Sequence, residues 1–251
     1  MNLDLSLVVP AYNECARIGS TLSAIRAHLD ASGRRYEVIV SADGNDGTRE
    51  TAARVTAGDA RVRVIGSPQR RGKGRGIREG VALATGHVVG FVDADDKTPI
   101  EDIEKLLPHL EAGADVVIGS RALAESRIER PQPLYRRVGS RAFGIAMHLM
   151  LGLWDLHDTQ CGFKFFRAPV AKDLFARQRI DGYMFDVEIL RLAVRSGYRI
   201  AEVGVRWKDD GDSRLDLVAG NWRNMLDILR IRFGSYPPPI PAVAPAEQAS
   251  A

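Results

Sequence analysis

"HVVGFVDADDKTP", residues 87–99, decides how this chain is read. Six residues of strand character, 87–92, run straight into Asp93, Asp95 and Asp96. Carboxylates this close repel one another unless something positive sits among them. One reading is a strand-to-helix turn with an N-capping aspartate. The other is a divalent cation site, because carboxylates at i and i+2 after a strand can share a hard ion such as Mg2+ or Mn2+. Such ions often take only one or two protein carboxylates and fill their other positions with substrate phosphates and water. A phosphate-bearing ligand is thereby implied.

Outward from that stretch, short apolar runs alternate with helical patterns. "LSLVVP" (5–10), "YEVIVS" (36–41), "VRVI" (Val62–Ile65) and "DVVIGS" (115–120) read as strands. Between them the pattern predicts a helix over 16–31, with Ile18, Leu22, Ile25 and Leu29 on one face, and helices opening near Thr48 and Ile77. Pro99 suits the first turn of a further helix, to about residue 110. This order predicts an α/β fold, a mostly parallel sheet with helices on both faces. Ligands of such sheets bind outside the carboxyl ends of the strands. The second half is less regular: helices over 134–154, 170–176, 186–196 and 217–233, and strands over 162–166 and 199–207. We read 1–235 as one domain, with a ligand-binding half over 1–120 and a second half over 121–235. The Pro- and Ala-rich end, 236–251, reads as a disordered tail.

Composition narrows the function. The chain has 251 residues, 45% hydrophobic and 27% charged, as expected of a soluble globular protein. A net charge of +3 suits acidic small molecules or an anionic membrane surface and is too weak to imply nucleic acid. Cys15 and Cys161 have no metal-like spacing and suggest a reducing compartment. The N-terminus reads as a strand and not a signal peptide, and no run reaches the ~18 apolar residues of a membrane span. A cytoplasmic protein, with at most a peripheral contact at the membrane face, is expected. No protein partner is evident.

Other motifs carry chemistry. In "RRGKGRG" (70–76), Gly72, Gly74 and Gly76 alternate with Lys73 and Arg75 before a helix, where a diphosphate is favoured; the bland reading is a solvated basic loop. The spacing is not that of a Walker loop. "VVPAYNE" and "SADGNDGT" are turn chemistry on their own, with Asp43 and Glu14 able to accept hydrogen bonds from a base or ribose. Arg121, Arg136, Arg137 and Arg141 supply the guanidinium density that suits a phosphate. Residues 136–154 read equally as a buried core helix or as an interfacial helix. The last helix mixes Trp222, Met225, Leu226, Leu229 and Phe233 with Arg223, Arg230 and Arg232. It suits contact with anionic lipid, although a solvated basic face is the commoner case. His148 and His157 read as structural and Cys161 as a packed thiol.

Taken in order, "VVPAYNE", "DGNDGT", "GKGRGIREG", "VDADD" and "GSR" (119–121) resemble the family-two glycosyltransferases of GT-A fold. "DTQCGFKFF" (158–166), "YMFDVEIL" (183–190) and "IAEVGVRW" (200–207) are similar to the dolichyl-phosphate glucosyl- and mannosyltransferase branch, closest to the glucosyl enzymes. The resemblance runs over residues 4–233. It implies a GT-A, Rossmann-like fold with a C-terminal acceptor-side subregion. It implies nucleoside contacts at Pro10, Tyr12, Glu14 and Asp43, and a diphosphate near Lys73. Asp93 would bind ribose or metal and Asp95 the metal, Mg2+ or Mn2+. Arg121 and Arg136 would grip the acceptor phosphate, Arg214 would close over the donor pyrophosphate, and Asp158 and Gln160 would lie near the sugar. The implied reaction is an inverting, metal-dependent transfer of glucose from UDP-glucose to a dolichyl or polyprenyl phosphate.

Two departures stand out. The loop "SADGNDGT" is one residue shorter than the family's and lacks its paired Asp. Lys97 stands where the mannosyl enzymes often place a metal-binding Gln, which favours the glucosyl branch. The alternatives are a GDP-mannose donor and a soluble acceptor; a hydroxyl acceptor would require a base, for which Asp158 is the candidate. A non-catalytic nucleotide-sugar binding module is disfavoured by the intact acidic cluster.

Overall fold

Strands that are apolar on both faces must be covered on both sides. In β1 (Leu5–Tyr12), β2 (Tyr36–Asp43), β4 (Val88–Val92) and β5 (Val116–Ser120) nearly every residue is buried. The computed structural model describes residues 3–130, 144, 147–208 and 219–240. With β3 (Val62–Ile65), β7 (Phe163–Arg167) and β8 (Ile200–Gly204) these strands form a seven-stranded sheet of order β3-β2-β1-β4-β7-β5-β8. Strand alternation sorts the core into two layers. Leu5, Leu7, Val9, Val38, Val40, Phe163 and Phe165 face α1 (Ile18–Ala31) and α4 (Ile103–Glu111), and the same layer takes Ala52 of α2 (Thr48–Val55). Val8, Ile39, Val89, Phe91, Val116 and Phe166 face α3 (Lys73–Leu83), α5 (Ala168–Arg177) and α6 (Phe185–Arg195). Ile228 and Ile231 of α7 (Ala219–Phe233) join this second layer.

One strand breaks the parallel pattern. β7 lies between β4 and β5 and runs antiparallel to both, pairing Val92 with Phe163 and Ile118 with Lys164. Its N-terminal end therefore reaches the edge where the parallel strands β1, β2, β4 and β5 end. The expected strand over 199–207 is two strands. It breaks at Val205, and β9 (Arg206–Lys208) leaves the main sheet to pair with β6 (Arg127–Arg130) in a separate parallel ribbon. Asp102 causes the departure by taking the Arg206 N–H at 2.6 Å and its Nε at 2.8 Å.

Other boundaries move for local reasons. α3 opens at Lys73 rather than Ile77, because Gly72 serves as its N-cap and the glycine-rich stretch forms the first turn. Pro99 precedes a 3-10 turn, Ile100–Asp102, that leads into α4. Tyr236, placed in a disordered tail by composition, donates its hydroxyl to Glu188 at 2.8 Å, and the Ile240 N–H donates to Asp173 at 2.7 Å. Residues 241–251 and most of 134–146 lie outside the described residues. Within the predicted 134–154 helix, 147–151 is helical, with Met147 and Leu151 in the core and Leu149 exposed. No helix among the described residues is long and apolar enough to cross a membrane.

Phe91 ties the second layer together, with ring centroids 5.5 Å from Phe185, 6.3 Å from Phe166 and 6.5 Å from Phe175. Phe91→Ala should lower the unfolding free energy by about 3–5 kcal/mol in a urea titration.

Candidate active site

The carboxyl edge of the sheet gathers the acidic turn, the glycine-rich turn and the start of β7. Asp93 follows the last residue of β4, and its N–H donates to the Gly162 carbonyl at 3.1 Å. A Cβ on Gly162 would overlap the Asp93 carboxylate, so only glycine leaves that carboxylate its place. Lys73 Nζ reaches Asp93 Oδ1 at 2.6 Å from the first turn of α3. Burial alone would lower the lysine's pKa, but the Asp93 and Asp186 carboxylates override it and hold the ammonium above its ordinary value. Burial, and after it the neighbouring Asp93 charge, pushes Asp95 up. Lys97 Nζ stands 3.2 Å from Asp95. Asp96 has φ 55° and turns the chain in the left-handed region. Among the described residues, Lys73 and Lys97 stand against Asp93 and Asp95, and Lys208 acts on Asp96.

Beneath this cluster lies a lysine that the pattern of the chain conceals. Lys164 is fully buried in β7 and donates to the Cys161 carbonyl at 2.5 Å and to Asp186 at 2.8 Å. Burial pushes Asp186 up, and Lys164 and Lys73 pull it back. The visible signal in the sequence is one charged residue inside the otherwise apolar "GFKFF". Cys161 is buried as expected of a packed thiol, and burial pushes it up to about 12.

Arg121 follows β5 and is locked to Asp158. Its Nε and Nη2 meet the two carboxylate oxygens at 2.6 and 2.8 Å, and its backbone N–H donates to the same group at 3.0 Å. Burial alone would raise Asp158, yet Arg121 holds it at about 2. The Gln160 N–H also donates to Asp158, while the Gln160 side chain is exposed. Glu202 of β8 fixes this segment by accepting the Asp158 N–H at 2.8 Å and the His157 N–H at 2.9 Å. His148 meets the Leu156 carbonyl at 2.6 Å.

The remaining residues stand along the same edge. Tyr12 ends β1 opposite Asp43, and the Arg70 guanidinium lies 4.6 Å over its ring. Asp43 accepts the N–H groups of Ser67 (3.2 Å) and Arg71 (2.7 Å) and so holds the loop after β3. Glu14 caps α1 through its carbonyl, while its N–H donates to Thr48. Pro10 is buried in β1. Arg136, Arg137, Arg141 and Arg214 lie outside the described residues.

The residues at the end of β4 fit a divalent cation. Asp93 and Asp95 are oxygen donors two residues apart whose charges oppose each other, and the missing Cβ of Gly162 leaves the Asp93 carboxylate its place. Among the described residues no cluster of three or more His, Cys, Asp and Glu side chains could hold a metal ion unaided, so ligand oxygens would complete the shell.

A solved structure of glucosyl-3-phosphoglycerate synthase from Mycobacterium tuberculosis, in complex with Mn2+, UDP and glucosyl-3-phosphoglycerate, shares this fold. Its TM-score is 0.68 at 22% identity, covering 92% of this chain and 80% of that one. A seven-stranded sheet with β7 reversed and an acidic turn after β4 is therefore a GT-A glycosyltransferase fold. The family model for "Glycosyl transferase family 2" matches residues 6–175, and the chain belongs to that family. The dolichyl-phosphate beta-glucosyltransferase of Dictyostelium discoideum is 32% identical over 248 residues, 92% of this chain and 75% of that protein. The enzyme of the same name from Drosophila melanogaster is 35% identical over 228 residues, 85% of this chain and 70% of that protein.

The Arg121–Asp158 pair makes stability depend on pH with a fixed sign. Asp158 sits at about 2 when folded against an ordinary 3.8, so the folded state binds its proton less readily. The stabilisation is complete above 3.8 and is lost as the pH falls toward 2. Denaturant titrations across that window should show the wild type losing on the order of 2 kcal/mol through this group. Asp158→Asn should flatten that part of the profile.

Proposed function

We propose that this glycosyltransferase moves glucose from UDP-glucose to the phosphate of a dolichyl or related polyprenyl lipid, with inversion at C1. The observation that carries this reading is the state of Asp158. A hydroxyl acceptor needs a base, and the carboxylate best placed by sequence for that task is held at about 2 by a bidentate guanidinium. A phosphate monoester is already largely anionic at neutral pH and needs no base; it needs an oriented cation. Arg121, fixed by Asp158, supplies one. The names of the relatives support both the sugar and the lipid phosphate.

The residues divide the work as follows. Tyr12 and Asp43 line the nucleoside end of the edge, together with Pro10 and Glu14. Lys73 meets the diphosphate, and Asp93 and Asp95 hold Mg2+ or Mn2+. When bound, the cation neutralises the departing diphosphate. Lys73 adds a pre-placed charge at the same leaving group. Arg121 holds the attacking phosphate in line with C1, and Gln160 lies near the sugar. Arg136 and Arg214 keep the roles the resemblance gives them, on acceptor phosphate and donor pyrophosphate. The exposed Trp222 and Phe233, with Arg223, Arg230 and Arg232 on the same helix, suit an anionic bilayer at the cytoplasmic membrane face.

A donor-by-acceptor matrix crossing UDP-glucose and GDP-mannose with polyprenyl phosphate tests the reading. Only the UDP-glucose and polyprenyl-phosphate combination should turn over. Chelation should abolish turnover, and Asp95→Ala should lower kcat at least about a hundredfold. Unchanged turnover after either treatment would remove the metal role. Vesicles containing anionic lipid should recruit the protein at low salt and release it as salt rises; no recruitment at any ionic strength would favour a soluble acceptor.

A further inference from the structure

The turn that carries Lys73 rests on a floor made by residues 178–182. A Cβ on Gly72, where φ is 111°, would overlap the Asp181 carbonyl. One on Gly74 would fall 2.6 Å from both the Ile180 carbonyl oxygen and Phe185 Cβ. The two backbones therefore touch on either side of Lys73. The Arg75 N–H donates to the Asp181 carbonyl at 3.2 Å, and Arg78 reaches the Asp181 carboxylate at 2.7 Å. This floor has no helix or strand of its own. It hangs on Glu188 of α6, which is fully buried and accepts the N–H groups of Arg179 and Ile180, each at 2.9 Å.

Glu188 has a third donor, from the far end of the chain. Past α7 the Gly234 N–H closes the last turn on the Arg230 carbonyl, and the chain folds back over α5 and α6. The Tyr236 hydroxyl then donates to the same Glu188 oxygen that Arg179 uses, at 2.8 Å, while the Arg179 guanidinium lies 5.2 Å from the Tyr236 ring. At Ile240 the strap is fastened again, to Asp173. One continuous set of contacts thus runs from Tyr236 through Glu188 and residues 179–182 to the turn at Lys73.

We propose that Tyr236 is a positioning residue for Lys73, so that the C-terminal strap sets the enzyme's affinity for the donor diphosphate. The proposal rests on the reading of Lys73 as a diphosphate contact. A buried carboxylate stripped of one of its donors holds its remaining partners in a less defined geometry. A floor without secondary structure is the part of the fold that responds first. A looser floor leaves Lys73 less ordered before the ligand arrives, and that order must then be restored on binding.

Tyr236→Phe tests this, because it keeps the ring and its packing and removes only the hydroxyl. In the ligand-free variant, amide exchange should quicken at 72–76 and 178–182. Titration with UDP in the presence of Mn2+ should give a Kd weakened about threefold to tenfold. In a Lys73→Met background the same substitution should cost nothing further, since the hydroxyl acts through that lysine. Faster exchange confined to 236–240, an unchanged UDP Kd beside a loosened floor, or losses that add in the double variant would each overturn the proposal. If the wild type binds no UDP while exchange at 72–76 still responds to Tyr236→Phe, the diphosphate role of Lys73 falls and with it the link to affinity. The mechanical coupling would then stand alone.

Discussion

A fully buried lysine in the middle of a sheet must be answered by a carboxylate, and much of this structure follows from that requirement. Lys164 meets Asp186 at 2.8 Å with neither side chain reaching solvent to any extent. Taking two charges out of water is costly, and removing one partner of such a pair typically destabilises by about 3–5 kcal/mol. The pair therefore dictates where α6 begins. Asp186 lies in the first turn of that helix, where the helix dipole favours a negative charge. Phe185, next to it, packs on Phe91 and beneath Lys73. The central strand, the carboxyl edge of the sheet and the second helical layer are thus joined through one ion pair.

The charge pattern continues upward from it. Lys73 feels both Asp93 and Asp186, and Asp158 feels Arg121 and then Lys164. Acids and bases alternate from the interior toward the edge, with Lys73 beside Asp93, Lys97 beside Asp95 and Arg121 beside Asp158. Asp95 is the exception in degree: burial and Asp93 outweigh Lys97, and its pKa stays raised. A pair of carboxylates in that condition favours added positive charge, which is the electrostatic ground for reading a cation and a diphosphate there.

The sequence was most legible where local periodicity and tertiary environment agree. The strands β1 to β5 and their helices follow from apolar runs of the right length, and the acidic cluster follows from its place after β4. Contacts between distant segments were less legible. Nothing in "GFKFF" reveals that β7 runs against its neighbours, since the hydrophobic pattern of a short strand reads the same in both directions. The departure of β9 depends on Asp102, 104 residues away from Arg206. Tyr236 belongs to a segment whose proline content argues for disorder, and contacts with distant residues, the buried Glu188 first among them, give it a fixed place. Gly162 was legible as a residue of a motif but not as the space beside Asp93, because that role exists only once β7 lies next to β4.

The reversal of β7 also separates what can vary from what cannot. Chain leaving β5 at Ser120 returns to the sheet at Phe163, one strand over and at the same edge, with Ile118 and Lys164 already paired across the gap. The excursion between them starts and ends at adjacent points, so lengthening or shortening it beyond β6, which is tied to β9, changes its closure entropy only slowly and leaves the register of the seven-stranded sheet alone. Asp43, Asp93 and Asp95 precede this excursion, whereas the floor beneath Lys73 at 178–182 follows it. On the proposed roles, the length of that excursion can change toward a different acceptor while the sheet beneath Asp93 and Lys73 keeps its pairing, provided Leu151, Leu153 and Leu156 keep their places in the core.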